Sequence, residues 1–155
     1  MTNLLRYAIL IPSKERGFEK MGMKKNKVHQ IVENGTVYIG EYMNRRKNGK
    51  GKIGTTEKEL KARVSNIRST KGKDFQVIAC FTLRNTTKSR IEHIESGIKI
   101  LLEEMYTHVG NDHFTFKMEN RVQGYTHFVE MAVIEGQRIC EERHWDYELT
   151  FFKKF

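Results

Sequence analysis

With 155 residues, 38% of them hydrophobic and 30% charged, the chain has the length and composition of one ordinary folded domain, which argues against a disordered tail or a disulfide-stapled miniature. Lys and Arg number 28 against 19 Asp and Glu, a net charge of +9 that suits a polyanionic partner. One proline, no repeat and no low-complexity stretch leave no linker to divide the chain, so a single domain spanning 1–155 is expected.

Taken in chain order, Leu4 to Ile11 is apolar enough for a strand. It is too short to cross a bilayer, and no cationic start with a small-residue cleavage site accompanies it. The expectation is therefore a protein with no membrane association, resident in the cytoplasm, or in the nucleus of a eukaryotic host. Pro12 to Glu33 is polar and basic and gives no defined element, and Asn34-Gly35 is a turn signal. Thr36 to Met43 alternates as a strand, with Val37 and Ile39 on one face and Tyr38 on the other.

Asn44 to Gly51, NRRKNGKG, reads as a basic loop, after which Lys52 to Thr55 pairs back antiparallel. Thr56 with Glu59 has the spacing of a capping box, and Leu60, Val64 and Ile67 form one stripe of the helix it would open, ending near Ser69 to Gly72. Phe75 to Leu83, FQVIACFTL, is apolar at nearly every position, as in a strand covered on both faces, with a break at Asn85 to Lys88. Arg90 to Met105 is the clearest helix. His113 to Met118 suits a short strand and Tyr125 to Cys140 a C-terminal helix, and the aromatic, basic tail caps the core or mediates association, leaving a homodimer open. The sum is an α+β fold: a small antiparallel sheet of about three strands flanked by helices, with an added C-terminal helix.

Charge is clustered. From Glu41 to Lys73 there are eleven basic residues, Arg45, Arg46, Lys47, Lys50, Lys52, Lys58, Lys61, Arg63, Arg68, Lys71 and Lys73, against three acidic ones, Glu41, Glu57 and Glu59. Phosphate contacts release condensed counterions, so such a segment suits a nucleic-acid backbone; a solvated basic surface explains it equally well. Cys80 and Cys140 lie far apart within apolar stretches and behave as small core hydrophobes rather than as zinc ligands.

Two positions break the logic of their helices. Ile91, Ile98 and Leu102 mark an apolar stripe, and Glu95 falls in the middle of it. A carboxylate there needs a metal ion, an arginine or edge exposure to offset its desolvation. Arg63 borders the stripe of the preceding helix, where it snorkels to water, holds a phosphate with its planar fork, or pairs with Glu95 in a purely structural ion pair. Tyr38 alone is an ordinary half-buried strand tyrosine.

Read together, TVYIG at Thr36 to Gly40 and KIGTT at Lys52 to Thr56 resemble the paired motifs of the GIY-YIG nuclease superfamily. The similarity is to a branch common in phages and large DNA viruses, whose second motif reads KIG and is followed by a helical arginine, an apolar strand and a helical glutamate. Arg63, FQVIACFTL and Glu95 occur in that order, and the resemblance covers about residues 36–118, with 1–35 and 121–155 as extensions. The first motif has TVY for GIY, Lys52 stands where many members have tyrosine, and the loop between the motifs is long. A polar residue that follows the arginine in the family has only Asn66 and Arg68 as candidates.

The resemblance implies a metal-dependent endonuclease that hydrolyses DNA. Tyr38, Lys52, Arg63 and Glu95 would be its catalytic residues. Glu95 would hold one divalent ion, Mg2+ by preference for oxygen ligands. Tyr38 would take the proton of the attacking water with its pKa lowered by Lys52, and Arg63 would meet charge growing on the phosphate. Arg45, Arg46, Lys47, Lys50, Arg68, Lys71 and Lys73 would hold the backbone without reading sequence. The alternatives are a non-catalytic DNA-binding module on the same fold and a basic RNA-binding protein.

Overall fold

A computed structural model of the protein describes residues 31–44, 48–110, 112–117, 121–122 and 124–152. The strand expected at Leu4 to Ile11 and the loop residues Arg45, Arg46 and Lys47 lie outside the described residues. The chain runs β1 (Ile31–Tyr42), β2 (Asn48–Thr56), α1 (Leu60–Thr70), β3 (Phe75–Thr87), α2 (Lys88–Met105), β4 (Thr107–Val109), β5 (His113–Lys117), β6 (Arg121–Val122), β7 (Tyr125–Thr126), α3 (His127–Glu142) and β8 (Glu148–Phe151).

The fold is α+β with an antiparallel sheet flanked by helices, but the sheet has six strands rather than about three, in the order β4-β5-β2-β1-β3-β8, beside a two-stranded β6-β7 ribbon. The extra strands come from segments whose local pattern is weak. β4 is three residues long and exposed throughout, and β8 is four residues drawn from the tail. Both exist because a longer strand offers unpaired backbone groups at the sheet's margin.

Register explains four further departures. Asn34 and Gly35 form no turn: they pair with Arg84 and Leu83 inside a long β1, and the Ile91 side chain packs where a Cβ on Gly35 would stand. β2 begins at Asn48, four residues before the expected start, because it pairs with β5 as well as β1. Thr56 ends β2 opposite Thr36 instead of capping a helix. Its hydroxyl accepts from the Lys58 amide, and α1 starts at Leu60 with no side-chain cap at Glu59. β3 likewise continues through Asn85 to Thr87, whose hydroxyl then accepts the Arg90 amide and opens α2.

Two apolar layers follow from strand alternation. Val37, Ile39, Ile53, Ala79, Phe81 and Leu83 face the large core under α2 and α3, joined by Ile91, Ile98, Ala132 and Leu149. Residues 127–151 are therefore part of the core rather than an appendage. Tyr38, Tyr42, Phe75, Val77 and Cys80 face the smaller core under α1, which contributes Val64 and Ile67. A bulge in β3 opposite Ile39 and Gly40 lets Phe75 and Val77 share the face of Cys80 despite their odd numbering. Both cysteines are buried and unbridged.

Candidate active site

β1, β2 and α1 bring Tyr38, Lys52 and Arg63 together at the smaller core, and α2 brings Glu95 within electrostatic reach of the Tyr38 phenol. Tyr38 points into that core from β1, fully buried, with its ring edge-on to Phe75. Its partner across the ladder is Gly54, the glycine of the second motif. An ideal Cβ on Gly54 would lie 2.2 Å from the phenolic oxygen, so the absence of a side chain there is what makes room for the hydroxyl.

Arg63 reaches the same point from α1. Its Nε donates to the Tyr38 hydroxyl oxygen at 3.3 Å. Burial pushes the Tyr38 phenol up from its usual range, and the Arg63 hydrogen bond and charge offset only part of that rise. Lys52, on the same face of β2, places its ammonium 5.8 Å from the centre of the Tyr38 ring and is 4% exposed. Burial pulls the Lys52 ammonium down, opposed by Asp112, to which it donates at 3.1 Å. The expectation that Lys52 lowers the tyrosine is thus not the balance found here. Burial dominates Tyr38, and Arg63 supplies the opposing positive charge.

Glu95 is neither sealed in hydrocarbon nor paired with Arg63. Its side chain is 17% exposed and its carboxylate lies 3.0 Å from the Lys99 ammonium one turn along α2. Its charge still acts on the Tyr38 phenol. Lys99 also donates to Asp112, whose carboxylate accepts Lys52 on its other oxygen. Burial would raise the Asp112 carboxyl, but these two lysines hold it below the usual carboxylate range, and the two carboxylates in turn hold Lys99 above the usual lysine range against burial.

Geometry at the β2 edge explains how α2 gains access. β5 begins at His113, opposite Lys52, so among the described residues no strand pairs with β2 beyond Lys52 on that side, and the Asp112 carbonyl accepts the Ile53 amide. Asp112 and Lys99 are the members that sequence reasoning missed. A signal existed for Lys99, which sits four residues after Glu95 on one helix face. None existed for Asp112, whose position depends on β5 pairing with β2.

The cluster holds three cations (Lys52, Arg63, Lys99), two carboxylates (Glu95, Asp112) and one phenol. Among the described residues, no three His, Cys, Asp or Glu side chains converge as a closed metal cage. An oxygen-seeking divalent ion that keeps most of its waters needs no cage, and Glu95 with Asp112 offers carboxylate oxygens around a single point, the Lys99 ammonium. The donor chemistry fits such an ion once that ammonium withdraws.

The predicted backbone-binding residues divide. Lys71 and Lys73 are exposed. Lys50 lies over the Tyr42 ring, 5.1 Å from its centre. Arg68 is half-buried and donates to the Phe75 carbonyl at 2.8 Å, a structural tie between α1 and β3 rather than a free surface charge. Lys50, Lys52 and Lys71 surround His113, whose ring nitrogen lies 2.9 Å from the Tyr42 hydroxyl. Burial first, then the lysines, drive the His113 imidazole down to about 4. A cleft of about 490 Å³ next to Arg63 adds Lys58 and Lys88, with Glu57 and Glu92, to the rim.

No helix of the described residues is long and apolar enough to cross a membrane. No family model, curated protein or solved structure matches this chain.

Proposed function

We propose that the protein is a divalent-metal-dependent endonuclease that hydrolyses DNA phosphodiester bonds, with Tyr38, Lys52, Arg63 and Glu95 as its working residues. One observation carries the reading: in the order of the resemblance to the GIY-YIG superfamily, Arg63 hydrogen-bonds the Tyr38 hydroxyl, Lys52 lies beside the Tyr38 ring, and Glu95 is close enough for its charge to act on the phenol. A buried phenol flanked by an arginine and a lysine is a perturbed titratable group of the kind that marks a functional-site candidate.

Arg63 and Lys52 bind and orient the phosphate. As Arg63 turns its planar fork to two phosphate oxygens, it frees the Tyr38 oxygen, and the deprotonated form of Tyr38, the phenolate, takes a proton from the attacking water and becomes the neutral phenol. Lys52 keeps positive charge beside the ring while that proton moves. Glu95, aided by Asp112, would hold the divalent ion, which supplies Lewis-acid polarisation of the phosphate when bound. Lys50, Lys71 and Lys73 steer the backbone by charge without selecting sequence.

The pairing of Glu95 with Lys99, together with the raised Tyr38 phenol, favours one second reading, a DNA-binding module that does not cleave. Supercoiled plasmid with and without Mg2+ separates the two. Nicking by the wild type that requires Mg2+ and disappears in Glu95→Ala and Tyr38→Phe supports the nuclease. Retardation of plasmid by all three proteins without nicking supports the binding module, and preference for structured RNA overturns both.

A further inference from the structure

Lys99 stands between the two carboxylates of the cluster. It sits one turn after Glu95 on α2, and its ammonium lies between the Glu95 carboxylate at 3.0 Å and one oxygen of Asp112. Asp112 is anchored independently by Lys52 on its other oxygen and by its own carbonyl to the Ile53 amide. The lysine therefore bridges one carboxylate from a helix and one from the margin of the sheet, and satisfies both.

A hard divalent ion and an ammonium compete for the same oxygens, and an ion entering beside an unmoved ammonium would meet a positive charge at contact distance. The two differ in one respect: the ammonium is tethered. Its four-carbon stem is flexible, so it can leave the carboxylates without leaving the site, and a phosphate oxygen offers it a replacement partner.

We infer that Lys99 is a built-in competitor for the divalent cation held by Glu95 and Asp112, keeping that site closed until substrate phosphate draws the ammonium away. The inference rests on the nuclease reading for the identity of the ion, and it assigns two residues, Lys99 and Asp112, that the motif resemblance leaves without a role. The competition is electrostatic and positional, so it predicts a gain of metal affinity from the loss of a side chain.

Mn2+ binding to the full chain without DNA tests this, measured by calorimetry and by the free-ion paramagnetic signal. Lys99→Met keeps the stem and removes the charge, and is expected to bind Mn2+ about tenfold or more tighter than the wild type. Lys99→Arg, which keeps the charge, is expected to stay as weak as the wild type. Glu95→Gln and Asp112→Asn, each placed in the Lys99→Met chain, are expected to abolish the gain. Should Lys99→Met fail to fold by circular dichroism, Lys99→Gln takes its place. Equal or weaker Mn2+ binding by the uncharged variants, with binding still lost in Glu95→Gln, overturns the competitor and leaves the metal reading standing. Absence of Mn2+ binding in every variant, including the uncharged ones, overturns both.

Discussion

The Tyr38 hydroxyl lies in space that any side chain at Gly54 would occupy: a Cβ there would stand 2.2 Å from the phenolic oxygen and 2.4 Å from the ring carbon that bears it. The two residues face each other across the β1–β2 ladder, so the glycine of one motif shapes the seat of the tyrosine of the other.

Gly54→Ala is therefore expected to displace the Tyr38 ring and break its hydrogen bond with Arg63. The overpacking should cost about 2 kcal/mol of stability. Chemical denaturation of the purified variant measures it. A midpoint equal to that of the wild type would show that the ring yields freely and that the seat is not rigid.

Arg63→Ala separates catalysis from structure. Arg63 is only half-buried, and its recorded hydrogen bond is one long contact to Tyr38. Plasmid nicking should fall on the order of 100-fold or more, the scale of a lost transition-state donor, while the thermal midpoint moves little. Gross unfolding would identify the arginine as a structural strut.

Arg68→Ala is the contrasting case. It removes a donor to the buried Phe75 carbonyl and should cost about 1 kcal/mol in stability. Its DNA affinity at moderate salt should match the wild type, whereas a double Lys71→Ala, Lys73→Ala variant should lose affinity and show a shallower salt slope. A shallower slope for Arg68→Ala alone would return that side chain to the binding surface.

Cleavage by a Tyr38 base should rise with pH. Burial sets the phenol above its usual value, so the reactive phenolate remains a minor species through neutral pH and increases tenfold per pH unit. The rate in Mg2+ is expected to climb through pH 9 without a plateau. A plateau between pH 6 and 8 would point to a different base. The same shift carries a stability consequence with the opposite sign: the neutral phenol favours the folded state, a contribution complete below the unfolded value of about 10 and lost as pH rises through the higher folded value.

His113 gives an acid-side test. Its imidazole, held down to about 4 chiefly by burial and then by Lys52 and Lys50, is neutral in the folded chain and titrates near 6.5 when unfolded. The stability it contributes is present above about 6.5 and lost as pH falls towards 4. Thermal midpoints taken from pH 7 to pH 4 should fall in the wild type and fall less steeply in His113→Gln. Parallel curves would show that other groups govern the acid transition.

The sequence by itself determined whatever depends on local period and residue type. Alternation placed Val37 and Ile39 opposite Tyr38, and the helical stripe placed Val64 and Ile67 inward. The nearly continuous apolar run of β3 announced burial on both faces. The misfit of Glu95 within its stripe marked it as a residue needing a partner. Tertiary structure alone decided the partners that lie far apart along the chain. Register turned Asn34-Gly35 and Thr56 from local turn and cap signals into ladder positions, because strand pairing satisfies backbone groups that a turn or cap would satisfy less completely. Pairing across the sheet also made strands of Thr107–Val109 and Glu148–Phe151, too short to show a period of their own. The i,i+4 spacing already set Lys99 beside Glu95 on one helix face, and only the folded chain brought in Asp112, since a charge answers to distance in space as well as to separation along the chain.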